Sequence, residues 1–98
     1  MLFVMTMKWK QGLTREQSDA ALARRAQWES PKGMNEVGEF WLASSNIAVV
    51  VIFEADSFEP IYEVGDTWGD VFDIEVTPAI EASEGLKIGP EVMSRRSV

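Results

Sequence analysis

The segment Ile47-Ala48-Val49-Val50-Val51-Ile52-Phe53 constrains this chain more than any other. It is far shorter than the ~20 apolar residues a membrane helix needs. Its β-branched residues favour a strand. A strand apolar on both faces must lie inside a sheet and be covered on both sides. Whatever fold the chain adopts has to supply two covering layers for that strand.

The flanking segments show what those layers are. Leu2 to Lys10 alternates, with Phe3, Met5, Met7 and Trp9 on one face and Leu2, Val4, Thr6, Lys8 and Lys10 on the other. That is the period of a strand. Gln11-Gly12 ends it. Thr14-Arg15-Glu16-Gln17 has the form of a capping box and predicts a helix start at Thr14. The helix runs through Ala-rich sequence with Leu22 and Trp28 as its only large apolar members, and Pro31 and Gly33 close it. Met34 to Ala43 reads as a second strand, Gly38, Phe40 and Leu42 on one face and Val37, Glu39, Trp41 and Ala43 on the other. Ser44-Ser45-Asn46 is a turn into the apolar strand.

A second helix is predicted with Ser57 as N-cap, Pro60 in the first turn and Gly69 as its stop. Phe58, Ile61, Val64, Gly65 and Trp68 form its stripe. Val71 to Thr77 alternates again, Phe72, Ile74 and Val76 against Asp73, Glu75 and Thr77, and Pro78 ends that strand. The order is βαββαβ, the ferredoxin-like α+β motif. Right-handed crossovers place two helices on one face of a four-stranded antiparallel sheet. This domain spans residues 1–78; residues 79–98, with Gly85, Gly89 and Pro90, are expected to form an extended arm and a frayed tail.

Two helices cover only one face. The other would leave Val, Ile and Trp side chains in water. At about 25 cal/mol per Å², even ~400 Å² of such surface is worth roughly 10 kcal/mol, as much as the whole stability of a small domain. A patch of that kind marks an interface, and a two-fold dimer packed sheet to sheet is its simplest closed form.

Composition removes several function classes. With 9 Lys and Arg against 16 Asp and Glu the net charge is −7, a poor fit to nucleic acid or to an anionic membrane. There is no Cys and no His, which excludes disulfides, thiolate nucleophiles, zinc fingers and His-based acid–base schemes. Neither a phosphate-cradling glycine motif nor clustered ligand spacing argues for a cofactor or a metal; a carboxylate-only Mg²⁺ or Ca²⁺ site is the one class left open. The apolar start has no preceding basic region and no cleavage site, so the cytoplasm is the expected compartment.

Element order and burial over residues 2–77 resemble the dimeric α+β barrel superfamily. That group holds cofactor-free monooxygenases, muconolactone-isomerase-like enzymes, haem-degrading enzymes and effector domains of amino-acid-responsive regulators. A closer resemblance is to a family of short proteins, the domain-of-unknown-function 3303 group. It is carried by Met1-Leu2-Phe3-Val4 with Lys8-Trp9-Lys10, by Ala23-Arg24-Arg25-Ala26-Gln27-Trp28, and by Trp68-Gly69-Asp70-Val71-Phe72. The resemblance implies a compact ligand-binding or catalytic barrel and carries no activity with it. Cofactor-free oxygenases of the superfamily hold aromatic substrates with Trp, Asn, Arg and Tyr; by residue type alone Trp41, Asn35, Arg25 and Tyr62 correspond.

Strand parity selects the candidate site. If the more apolar set of each strand meets the helices, then Thr6, Lys8, Asp73 and Glu75 face the barrel, and Lys8 lies across from an acidic residue on the neighbouring fourth strand. Trp41 is assigned to that same side. Arg25, on the inner stripe of the first helix, is the outlying anion partner or else pairs with Glu29 one turn on. The expected ligand site is therefore Thr6, Lys8, Arg25, Trp41, Asp73 and Glu75. The plain alternatives are a wet cross-strand salt bridge for the charges and an interface aromatic for Trp41. Three function classes fit: a homodimer binding a small organic ligand, a cofactor-independent monooxygenase or isomerase acting on an aromatic or enol, and an interaction module with a filled interior.

Overall fold

The computed structural model describes residues 1–96. Strand β1 (Leu2–Trp9) is followed by α1 (Arg15–Gln27), β2 (Met34–Trp41), β3 (Val49–Ala55), α2 (Glu59–Trp68), β4 (Phe72–Ala79) and α3 (Ala82–Ser94). The four strands form one antiparallel sheet in the order β2-β3-β1-β4. This is an α+β ferredoxin-like architecture, with the first and third strands in the middle of the sheet.

The capping box is present as the sequence predicts. The Gln17 N–H donates to Thr14 Oγ1 at 3.1 Å, and the Thr14 N–H donates to Gln17 Oε1 at 2.8 Å. Two of the otherwise orphaned amides at the start of α1 are thereby satisfied. Helix α2 starts differently: Phe58, not Ser57, is its N-cap, and no side chain caps it. Pro60 in its first turn loses no helical hydrogen bond there. At its end the Gly69 N–H donates to the Gly65 carbonyl at 2.8 Å, and a Cβ on Gly69 would sit 2.6 Å from that oxygen. Close approach, rather than a left-handed turn, is what requires glycine at this stop.

The core lies between the sheet and α1 with α2. Met5 and Met7 of β1, Val51, Phe53 and Ala55 of β3, Met34 of β2 and Phe72 of β4 are buried with Ala21 of α1 and Val64 and Trp68 of α2. Register explains the pattern. Phe3, Met5 and Met7 pair with Phe53, Val51 and Val49, and Met5, Met7 and Trp9 pair with Val76, Ile74 and Phe72. Paired residues share a face, so one face is apolar across three strands. On the opposite face Val4, Val50 and Ile52 are half-buried and Phe40 of β2 is 58% exposed. Among the described residues no helix covers this second face, which leaves the apolar exposure the sequence anticipated.

Three further expectations are corrected. Pro78 does not end the fourth strand: β4 runs through it to Ala79, with Pro78 paired to Phe3. Among the described residues the segment after residue 79 is not an extended arm: it holds the 13-residue helix α3, with Pro90 inside it, and Ser97 and Val98, the end of the expected frayed tail, lie outside the described residues. Ile88 and Val92 four apart and Leu86 and Met93 seven apart have helical spacing, and all four side chains are exposed. Helix α3 buries none of its residues, and the molecule measures 56 Å along its longest axis against 28 and 19 Å. The third correction concerns β2. Its pairing with β3 slips between Glu36 and Gly38. A bulge of this kind inverts the side-chain phase. Glu39 and Trp41 thus pair with Val51 and Val49 and join the helix side of the sheet, the reverse of the expected assignment.

Candidate ligand-binding cavity

A cavity of about 340 Å³ lies between α1, α2 and the sheet. Its origin is the composition of α1. The inward positions of that helix are Ser18, Ala21, Leu22 and Arg25, and only Ala21 is fully buried. Small side chains over a sheet of Met and Val do not fill the layer. Helix α2, by contrast, fills its share with Val64 and Trp68. The floor is Met5, Met7, Val49 and Val51. All four tryptophans of the chain, Trp9, Trp28, Trp41 and Trp68, contribute to the walls.

Helix α1 is held over this space by two arginines. Arg24 forms a two-pronged ion pair with Asp70, Nη2 to Oδ2 at 2.8 Å and Nη1 to Oδ1 at 3.0 Å. Its Nη1 also donates to the Thr67 carbonyl at 2.6 Å, and its guanidinium lies 5.0 Å from the Trp68 ring centre. These contacts tie α1 to the C-terminal end of α2. The hydrogen bond from Arg24 holds the Asp70 carboxyl below its usual range.

Arg25 turns to the sheet. Its Nη2 and Nε donate to Glu39 Oε1 and Oε2 at 2.9 and 3.1 Å, and its guanidinium lies 5.6 Å from the Trp28 ring centre. The Trp41 indole N–H donates to Glu39 Oε2 at 2.7 Å. Burial acts to raise the Glu39 carboxyl, but the Arg25 and Trp41 hydrogen bonds and the Arg25 charge outweigh it and hold that carboxyl low. Glu36, on the same face of β2, behaves oppositely. Partial burial, then the neighbouring Glu39, push its carboxyl above the usual range. Ser30 Oγ donates to Glu36 Oε2 at a long 3.3 Å. The cavity is thus apolar along its length, with a polar end made of one guanidinium and two unlike carboxyls.

The structure divides the expected site between the two faces of the sheet. Arg25 and Trp41 meet through Glu39, beside the cavity. Thr6, Lys8, Asp73 and Glu75 lie together on the other face; Thr6 pairs with Glu75 and Lys8 with Asp73 across β1 and β4. The expected neighbourhood of Lys8 and an acidic residue is therefore present, without Trp41. Asp73 takes its hydrogen bond from Lys10 instead, at 2.9 Å, and that bond lowers its pKa, with smaller help from the charges of Lys10 and Lys8. Arg25 pairs with Glu39 across the layer instead of with Glu29 along its own helix. Asn35 belongs to β2 outside the cavity lining, and Tyr62 is 68% exposed on α2.

Three contributors were missed by sequence reasoning: Glu36, Trp28 as a wall, and Glu39 as the hub. The one local signal was Gly38, since glycine inside a strand pattern often marks a bulge. Among the described residues no group of His, Cys, Asp or Glu is arranged to hold a metal ion. Among the described residues no helix is long and apolar enough to cross a membrane.

No curated protein matches the chain, and no solved structure matches it. A family described as a domain of unknown function matches residues 1–93, nearly the whole chain with its paired arginines, its carboxyls and all four tryptophans. The chain belongs to that family, DUF3303.

Proposed function

We propose that this protein binds a small organic molecule in the cavity under α1, as a homodimer joined through the open face of its sheet. The observation that carries the binding reading is the cavity itself: about 340 Å³, walled by four tryptophans, with charged groups gathered at one end. Ligand sites have this form, largely apolar with a few polar groups that fix orientation. A filled interior, as an interaction module would have, is disfavoured by the same volume. The dimer reading is supported by Val4, Val50, Ile52 and Phe40 on a face that no helix covers among the described residues. Cavity and dimer face are on opposite sides of the sheet, so each protomer has a complete lining of its own.

The test is native mass spectrometry of freshly purified protein, followed by a thermal-shift screen of small aromatic compounds. We expect a mass of two chains and stabilisation by some of the compounds, since a ligand that binds only the folded state raises its stability. A monomer at micromolar concentration would sink the dimer reading. A screen with no stabilising compound, and no retained molecule, would sink the binding reading. Val50→Glu, which places a charge on the open face and not in the cavity, is expected to separate the subunits while leaving ligand binding in place.

A further inference from the structure

We propose that the cavity takes a fused-ring aromatic molecule whose polar end is a neutral hydrogen-bond donor, O–H or N–H, and that it discriminates against aromatic anions. This inference rests on the binding reading above and names the ligand class for the same cavity. The walls set the apolar part. Trp9, Trp28, Trp41, Trp68 and Phe72 offer flat aromatic surface, which favours a flat partner.

The polar end sets the head group. An arginine beside a cavity suggests an anion site, but here the guanidinium is already engaged. Its Nε and Nη2 are turned to the two oxygens of Glu39, so its charge is paired, and the Trp41 indole N–H donates to the same carboxylate. Among the charged residues that line the cavity are one cation, Arg25, and two carboxyls, Glu36 and Glu39. Glu36 accepts the long contact from Ser30 and lies against the Glu39 carboxyl. With the guanidinium charge paired by Glu39, the charge left without an ion pair at this end, among the described residues, is the Glu36 carboxyl, an acceptor. A carboxylate or sulfonate would meet Glu36 as a like charge. A hydroxyl or amine would complete the hydrogen bonding of Glu36.

Three two-ring probes separate the possibilities: 2-naphthol, 2-methoxynaphthalene and 2-naphthoate, titrated into the full chain by calorimetry with quenching of tryptophan fluorescence as a second signal. We expect 2-naphthol to bind more tightly than either of the others by about tenfold or more, the scale of one hydrogen bond to a charged group. Glu36 is an exposed residue, so Glu36→Ala is expected to fold. In that variant 2-naphthol should bind no better than 2-methoxynaphthalene. Preference for 2-naphthoate, or equal binding of all three, would overturn the donor class while leaving the cavity reading intact. No binding and no quenching by any probe would overturn both. A preference for 2-naphthol that survives Glu36→Ala would overturn the role given to Glu36.

Discussion

Helices α1 and α2 lie on the same sheet face and are attached to it by different physics. Helix α2 buries Pro60, Val64 and Trp68, so its attachment is hydrophobic. Helix α1 buries only Ala21 and is held by Arg24 on Asp70 and Arg25 on Glu39. Burial fills space, whereas ion pairs at two points bridge it. The cavity lies under the bridged helix for that reason. A small domain has little stability to spare, and this one concentrates its core on α2 and β3 while leaving room under α1.

The contrast makes quantitative expectations. Trp68→Ala removes the largest buried side chain of α2 and should cost about 3–5 kcal/mol in urea unfolding; a loss below 1 kcal/mol would mean that α2 is not the hydrophobic anchor. Arg25→Ala should cost less, about 1–3 kcal/mol, because it leaves Glu39 half-desolvated without its partner. Were it to cost nothing, the ion pair would not be what holds α1. Thr14→Ala removes the cap of α1 and should cost about 1 kcal/mol, with no change in ligand affinity.

The smallest effect is the most diagnostic, because its sign differs between the two carboxyls of β2. Glu36 titrates above its ordinary value in the fold, so its ionised form weakens folding above that pKa. Glu36→Gln should therefore stabilise slightly near neutrality, by no more than about 0.5 kcal/mol. The gain should disappear as pH falls through the raised pKa toward the unfolded value. Glu39 and Asp70 titrate below their ordinary values. Their contribution is complete above the unfolded pKa and is lost as pH falls through the lowered ones. Urea midpoints of wild type and the Gln variant across mildly acidic pH would show the crossing. If Glu36→Gln destabilises at neutral pH, the assignment of Glu36 as the strained carboxyl is wrong.

Local patterns in the sequence determined most of the fold. Alternation gave β1 and β4 their correct faces, because period two is a property of a single strand and needs no partner. The capping box placed α1, and the apolar run Ile47 to Phe53 identified a central strand, although the strand itself starts at Val49. Gly85, Gly89 and Pro90 are poor helix formers and argue for an extended segment after residue 79; the helical spacing of its apolar residues describes it better. What only the tertiary structure decided was the face of Glu39 and Trp41. Those side chains are directed by the register of β2 on β3, and a single bulge beside Gly38 reverses them. The site depends on that reversal. Thr6, Lys8, Asp73 and Glu75 share a face by parity, legible in each strand alone, whereas Arg25, Glu39 and Trp41 meet across three separate elements. A cavity is a shortfall of volume between packed layers, and no residue or spacing encodes it by itself: Ala21 becomes part of a wall only when Met7 and Trp68 are set around it.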